Sequence, residues 1–435
     1  MNRLFFALVC LGFSITAWHQ LQWLPAGGAA SPMQLLTQGM LEAATTAVNL
    51  AMGLIGSMAL FLGLIKVAER GGLLTILARL IRPLMVRLFP EVPADHPAMG
   101  AMILNIAANA LGLGNAATPF GIRAMHELNR LNPHKGTASD AMALFLAINT
   151  ASITLVPSSV IAVRASLGSQ EPAAILPTTL FATICATVAA IIGARILQRW
   201  FPMPQTPAAE PTDIPQDAAT TPPAETLASA DGDGYPTWVC LTAMGLLLGL
   251  IPLTILYGKQ FSVWVIPGMV VGFLGFGMLR GVAVYEAFVE GAREGFEVAV
   301  RIIPYLVAIL VAVGMFRSSG ALGHLVQWLS PLTTPLGLPA EALPMALLRP
   351  FSGSGAYGVM TSIMQDPAIG PDSYIGMLVS TIQGSTETTF YVLAVYLGAV
   401  QVRQMRHTLA AALTADVAGL AAAVLICSIL FGARG

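Results

Sequence analysis

Long apolar segments alternate with short basic loops along most of this chain, and two of the apolar segments are interrupted by glycine, asparagine and serine. The uninterrupted segments each have close to the roughly 20 residues that a membrane-spanning helix needs. They comprise residues 4–24, 47–67, 140–163, 174–198, 238–257, 262–280, 299–316, 375–400 and 408–432. The interrupted segments, 98–122 and 341–364, carry breaks at 112–115 and 352–355. The pattern predicts an all-α polytopic membrane protein.

Basic residues in the loops predict the direction of each crossing, because Lys and Arg favour the cytoplasmic side. Arg3 places the N-terminus in the cytoplasm, and basic loops flank segment 98–122 on that same side. This segment is therefore predicted to be a re-entrant helical hairpin. The same reasoning places both ends of 341–364 outside the cell. The two halves are thus predicted to form an inverted-topology repeat, an architecture common in secondary transporters.

The two halves are joined by a segment of different composition. Residues 201–236 are rich in Pro, Ala, Thr and acidic residues and have no apolar period, which is typical of a flexible linker. The expected organisation is therefore two halves, 1–200 and 237–435. The first apolar segment is longer than the core of a secretory signal and carries Trp18 and Trp23, so we expect it to be retained.

Composition argues against several classes of function. Hydrophobic residues make up 56% of the 435 residues, charged residues 10%, and the formal net charge of −1 provides no basic face for nucleic acid. The histidines, cysteines and carboxylates show no metal-ligand spacing, and no Walker A motif is present, so no metal, cofactor or ATP is expected. The expected partners are membrane lipid, an unidentified small solute and, as an open alternative, a second copy of the chain.

The first interrupted segment offers amide side chains. Asn105 and Asn109 would share one face if the segment is helical, with Gly112 on the same face. Amides in hydrocarbon either bond to neighbouring helices or bind a ligand, and both alternatives stay open. Asn115 and Thr118, beside the break, are the stronger ligand candidates because unpaired backbone groups gather there.

The second interrupted segment offers small residues. Ser352 and Ser354 alternate with glycines, and a helix that begins there would expose N–H donors suited to a carboxylate, phosphate or carbonyl oxygen. Close helix packing is the alternative. The segment also matches a dinucleotide G-x-G-x-x-G, but this match carries little weight because no strand precedes it.

The strongest single signal is a carboxylate within an apolar segment. Gln383 and Glu387 would lie on one helical face together with Ser380. An acid at the bilayer centre costs at least about 2.5 kcal/mol. Glu387 is therefore expected to contact substrate or bind a coupling proton or cation, unless it forms a salt bridge with Arg349.

Further candidates surround these positions. The polar groups near Glu387 and at the matching place in the first half are Ser385, Thr386, Asn149 and Ser152. Asp416, in the last apolar segment, is a second acid that we expect to be hydrated or paired.

Two sets of motifs resemble known families. The run from Asn105 to Gly121 and the stretch from Asn149 to Pro157 resemble spore maturation protein A. The Arg349-Pro-Phe-Ser-Gly-Ser-Gly run and the Gln383-Gly-Ser-Thr-Glu-Thr-Thr-Phe-Tyr run resemble spore maturation protein B. The chain therefore resembles a fusion of the two, within a group that shares a nucleoside-recognition or Gate domain with concentrative nucleoside transporters. The resemblance implies a multi-pass protein of the bacterial inner membrane.

The expected function is a permease rather than an enzyme. It would move a small polar or anionic solute through a site near the membrane midplane, with coupling to a proton or to sodium as a further expectation. One alternative is a scaffold or regulator of envelope or spore-type maturation. Another is an intramembrane enzyme with Ser354 or Ser385 as nucleophile, although no histidine lies in a predicted membrane segment to act as base.

Overall fold

The computed structural model describes residues 2–24, 30–112, 114–203, 234–321 and 337–432, with a few positions between 324 and 335. Nearly all of these residues are helical. In chain order the described α-helices are α1 (Asn2–Gln22), α2 (Pro32–Arg70), α3 (Leu73–Leu88), α4 (Pro97–Ala110), α5 (Gly114–Leu131), α6 (Asp140–Thr150), α7 (Ser158–Ser166), α8 (Leu176–Leu197), α9 (Thr237–Leu279), α10 (Val284–Ser318), α11 (Leu343–Leu348), α12 (Gly353–Gln365), α13 (Tyr374–Ser385), α14 (Thr389–Ala399) and α15 (Thr408–Phe431). Short 3-10 helices, Pro172–Ile175 and Ala340–Ala342, precede α8 and α11.

Each half contains a helical hairpin followed by a broken helix. In the first half α4 packs against α5 to form the hairpin, and α6 and α7 form the broken helix. In the second half α11 packs against α12, and α13 and α14 form the broken helix. The hairpins predicted at 98–122 and 341–364 are therefore present, and the two halves repeat the same order of elements.

The segments 140–163 and 375–400 are not the single helices that we predicted. The first is interrupted between Thr150 and Ser158, and the second between Ser385 and Thr389. Backbone hydrogen bonds explain the breaks: Leu155 N–H donates to Ala110 O over 2.9 Å, and Phe390 N–H donates to Pro350 O over 3.0 Å. Each break is thus held by the end of the hairpin in its own half. These bonds satisfy peptide groups that would be costly if left unpaired in a membrane.

The two broken helices run antiparallel, and ion pairs join them at both ends. Asp140, at the start of α6, accepts a hydrogen bond of 2.6 Å from Arg406, which follows α14. Arg164, in the last turn of α7, lies 2.9 Å from Asp372, which precedes α13. The start of each broken helix is therefore tied to the end of the other. This reciprocal arrangement is what an inverted repeat requires.

Two further helix pairs join equivalent elements of the halves. α2 packs along α10, and α8 packs along α15. Glycine permits the close approach of α2 to α10, because a Cβ atom at Gly295 would lie 2.7 Å from Met58 O. At one end of this pair Lys66 contacts both Glu290 and Glu294. Among the described helices, Pro32–Arg70, Pro172–Leu197 and Thr408–Phe431 are long and apolar enough to cross a membrane by length and composition.

Helix α9 differs from the two separate spans predicted at 238–257 and 262–280. It is helical over 43 residues, which would make it about 65 Å long if straight, against about 30 Å of bilayer hydrocarbon. Its two ends nevertheless lie together. Tyr235 N–H donates to Arg79 O, and Arg280 Nε donates to Gly71 O. Since residues 71 and 79 are close in sequence, α9 bends back and returns to the side from which it starts.

The buried core is shared between the halves. One hydrophobic cluster joins α3, α4, α5, α6 and α8 of the first half to α14 and α15 of the second. The other joins α2, α7 and α8 to α10, α12, α13 and α15. Neither cluster of the described residues belongs to one half alone, so each half contributes to the environment of the other.

Candidate functional site

A polar cavity of about 200 Å³ lies where helix ends from both halves meet. The end of α4, the start of α7, the start of α12 and the region around the end of α13 converge on it. Its wall is formed by Asn109, Gly112, Thr154, Val156, Pro157, Ser158, Ser159, Val160, Arg349, Gly353, Gln383, Gly384, Glu387 and Thr388. The breaks in the helices are therefore what create this space between the two repeats.

Arg349 is the cation of the cavity. It lies at the end of α11 and is almost fully buried, with 5% of its surface exposed. Its guanidinium donates to Thr388 Oγ1 over 3.2 Å and to the carbonyl oxygen of Thr386. It also lies 3.9 Å from Glu387, so the salt bridge considered from the sequence is present. Arg349 thus connects the hairpin of the second half to the break in its broken helix.

Glu387 and Gln383 provide the acceptors of the cavity. Because α13 ends at Ser385, Glu387 lies in the break, and the helical face predicted to join it to Ser380 and Gln383 is wrong. Glu387 N–H donates to Thr150 O over 2.9 Å, which anchors one break against the other. The side chain of Glu387 is 51% exposed and lines the cavity. Gln383 Oε1 is buried and has no hydrogen-bond partner among the described residues.

The first half contributes amides. Asn109, in the last turn of α4, donates to Asn149 Oδ1 over 3.1 Å and lines the cavity. Asn149 in turn donates to Phe145 O over 3.0 Å and lies behind Asn109. The charged groups of the cavity wall therefore come from the second half, as the asymmetry of the sequences predicts.

Other candidate residues lie outside the cavity wall. Asn105 is buried and donates to Ala117 O over 2.8 Å, and its amide also approaches Tyr396 Oη. Thr118 lies near the same tyrosine. These contacts pack α5 against α14. The side chain of Asn115 lies outside the described residues.

The remaining candidate hydroxyls serve the backbone. Ser352 caps α12 by accepting from Gly355 N–H over 3.0 Å. Ser152, just after α6, donates to Asn149 O, and Ser385, at the end of α13, donates to Ile382 O. Thr386 contributes its carbonyl oxygen to Arg349. Ser354 lies in the first turn of α12 and is not part of the cavity wall. Because the Ser385 hydroxyl donates to Ile382 O, no side-chain base among the described residues accepts its proton.

Several residues of the site were not singled out from the sequence. Thr154, Ser158 and Ser159 border the cavity from the first break and the first turn of α7, and Thr388 borders it from the second. The Pro157-Ser-Ser run was a usable signal, because proline followed by serines often begins a helix. Thr388 could not be separated by sequence from the other threonines beside it.

The arrangement favours recognition of polar groups. The first turns of α7 and α12 border the cavity, which places the positive ends of two helix dipoles beside it, and Arg349 adds a full charge. Glu387, beside Arg349, and Gln383 add acceptors. A ligand that places an anionic or carbonyl oxygen near Arg349 and a donor near Gln383 would be complementary to this wall.

Comparison with known proteins assigns the family. The Gate family, described as nucleoside recognition, matches residues 51–198 and 299–403, which is more than half of the chain. Spore maturation protein B of Bacillus subtilis (strain 168) is 48% identical over 171 residues, covering 39% of this chain and 95% of that protein. Spore maturation protein A of the same organism is 44% identical over 169 residues, covering 39% of this chain and 84% of that protein.

Two solved structures align along the chain at low identity. A doubly substituted CNTnw in an outward-facing state aligns with 99% of this chain and 100% of its own, with a TM-score of 0.45 and 13% identity. The YdaH transporter of Alcanivorax borkumensis aligns with 99% of this chain and 98% of its own, with a TM-score of 0.40 and 17% identity. The family match and the two Bacillus subtilis relatives, together with the paired hairpins and broken helices, establish that this chain is a member of the Gate family that resembles a fusion of spore maturation proteins A and B.

Proposed function

We propose that this chain is a multi-pass membrane transporter that moves a small polar or anionic solute through the cavity between its two inverted halves. The observation that supports this most is the convergence of helix ends from both halves on one polar cavity. A volume of about 200 Å³ corresponds to roughly six or seven water molecules, which suits a small solute. Paired hairpins and broken helices are also the parts from which alternating access is commonly built.

The state of the polar groups favours ligand binding over packing. A packing role would leave the charged group buried and bonded. Instead the side chain of Glu387 is half exposed at the cavity, and the neighbouring Gln383 Oε1 has no partner among the described residues. The long distance of 3.9 Å between Arg349 and Glu387 leaves room for a solute anion to compete for the guanidinium.

A second candidate function follows from the names of the relatives. Both Bacillus subtilis proteins are called spore maturation proteins, which favours a membrane scaffold or regulator of envelope maturation. In that case the cavity would be a by-product of helix packing. The two functions differ in one measurable way, because a scaffold binds no solute in the cavity.

The test begins with a thermal-shift screen of the purified full chain in detergent. Anionic metabolites, nucleosides and lipid headgroups are added with and without sodium, and hits are then followed as uptake into proteoliposomes. Glu387→Gln is expected to abolish uptake without loss of expression, because it removes the negative charge of the cavity wall that lies 3.9 Å from Arg349. Glu341→Gln, at an exposed position before α11, is the matched control and keeps wild-type uptake. Wild-type uptake by Glu387→Gln would contradict the role of this carboxylate, and the absence of any hit or uptake would favour the scaffold.

A further inference from the structure

A second intramembrane carboxylate lies behind the cavity, on the far side of the break between α13 and α14. Asp416 is in α15 and is 9% exposed. One of its oxygens accepts a hydrogen bond of 2.7 Å from Thr389 Oγ1, in the first turn of α14. Its other oxygen, Oδ1, is buried and has no hydrogen-bond partner among the described residues. The sequence placed Asp416 near a segment end, but the structure places it against the central break.

Asp416 and Glu387 flank the short segment that Arg349 binds. Arg349 lies 3.9 Å from Glu387 and donates to Thr388 Oγ1, and the next residue, Thr389, donates to Asp416. The tight contact of α15 with the break holds this geometry, because a Cβ atom at Gly419, one turn after Asp416, would lie 2.9 Å from Thr386 Cγ2. One guanidinium balances one carboxylate. If both acids were ionised, the cluster would carry a net negative charge at membrane depth, which is strongly unfavourable.

The neighbouring helices provide no second base for Asp416. The titratable groups on the described helices packed around it are Asp140, Cys185, Arg195, Tyr374, Tyr391 and Tyr396. Asp140 pairs with Arg406, and Arg195 donates to Leu88 O. Tyr374 donates to Gly337 O, Tyr396 contacts Asn105, Tyr391 is exposed, and Cys185 packs against the second hydrophobic cluster. None of these groups pairs with Asp416, which leaves Arg349, bound to the adjacent Thr388, as the cation beside the same break.

From this geometry we infer that Asp416 is a proton-binding site and that it carries the coupling proton of the proposed transport cycle. A proton bound at Oδ1 neutralises Asp416 and leaves Arg349 with Glu387 at the cavity. Loss of that proton makes Asp416 compete for Arg349, which weakens the hold of Arg349 on Glu387 and changes the charge that a solute meets. The protonation state of Asp416 is thereby linked to recognition of the solute at the cavity. This inference rests on the proposed transport function.

The test detects the proton directly and needs no transported solute. Attenuated-total-reflection infrared difference spectra of the full-length protein in lipid are recorded from about pH 8 to about pH 4, a range that includes the ordinary carboxylate value. The probe is the proton alone, read as the carbonyl stretch of a protonated carboxylic acid. Wild type and Glu387→Gln are expected to show a band from a buried acid on acidification, and Asp416→Asn is expected to lack it.

A second variant keeps the test decisive if Asp416→Asn does not fold. Thr389→Val retains the acid but removes its hydrogen bond, so the band is expected to remain and to move to higher frequency. Three results would overturn the inference. They are a buried-acid band that survives in Asp416→Asn, the lack of such a band in wild type at every pH, and a band that does not move in Thr389→Val. A normal band in a protein that shows no uptake would instead contradict the transport proposal, so the two failures are distinguishable.

Discussion

Arg164 gives the most quantitative prediction, because it joins the two halves at one end of the broken helices. It is completely buried, and its guanidinium donates to Pro371 O over 2.6 Å and to Asp372 Oδ1 over 2.9 Å. It also donates to Pro172 O and Ser169 Oγ, each over 3.2 Å. We expect Arg164→Met to destabilise the fold, since methionine fills part of the volume but donates none of these hydrogen bonds.

The magnitude follows from the two shortest bonds. A hydrogen bond to a charged group contributes about 1.5–3 kcal/mol, so losing two costs about 3–6 kcal/mol, close to the roughly 3–5 kcal/mol that removing one partner of a buried ion pair usually costs. The side chain of Asp372 is 37% exposed and keeps Ser169 Oγ and Gln170 N–H as donors. Water and these donors partly compensate Asp372 for the lost arginine, so we expect a loss of unfolding free energy in the lower part of that range.

The assay is equilibrium unfolding in mixed micelles, with the free energy of unfolding taken from the denaturing-detergent titration. Arg70→Met is the matched control, because Arg70 is 45% exposed and its partner Glu290 is 42% exposed. Exposed pairs of this kind contribute about 0–1 kcal/mol. A loss below about 1 kcal/mol in Arg164→Met, or equal losses in the two variants, would refute the reasoning that links burial of the arginine to its contribution.

Two further predictions concern how the halves assemble. Gly295→Ala is expected to cost about 1–3 kcal/mol in the same assay, because its Cβ would meet the α2 backbone at 2.7 Å, whereas Gly53→Ala, with no atom within 4 Å, should be neutral or stabilising. A chain divided between residues 203 and 234 should still assemble when both pieces are co-expressed, since both hydrophobic clusters are shared; co-purification through a tag on one piece measures this. If one piece expressed without the other were stable and monodisperse, that result would contradict a core shared between the halves.

The sequence was informative where the causes of structure are local. Apolar length predicted the helices, and glycines at 112 and 353 marked the two hairpins at the places where the structure has them. The breaks at Thr150 and Ser385 were missed because they depend on distant partners. Leu155 and Phe390 find carbonyl acceptors in the hairpins, which no local pattern reveals. For α9, the sequence predicted two spans with a gap between them, whereas the structure has one bent helix.

The site was predictable to a similar degree. Glu387 was conspicuous because an acid in an apolar segment is rare, and Asn109 and Gln383 followed from their amides. The sequence could not separate these from Asn105, which has similar chemistry but packs against Tyr396. The reason is geometric, since one turn of α4 decides whether an amide meets the cavity or a neighbouring helix. Pairings such as Arg164 with Asp372 are more than 200 residues apart and leave no trace in spacing.

The shared core also has a consequence for how the protein is produced. Because neither hydrophobic cluster is complete in one half, each half would expose apolar surface to other helices if its counterpart were scarce. Two separate polypeptides would need matched synthesis and would have to find each other in the bilayer. A single reading frame removes that requirement, because each complete polypeptide contains the two halves in a one-to-one ratio. The continuity of the chain thus fixes the stoichiometry of the two halves.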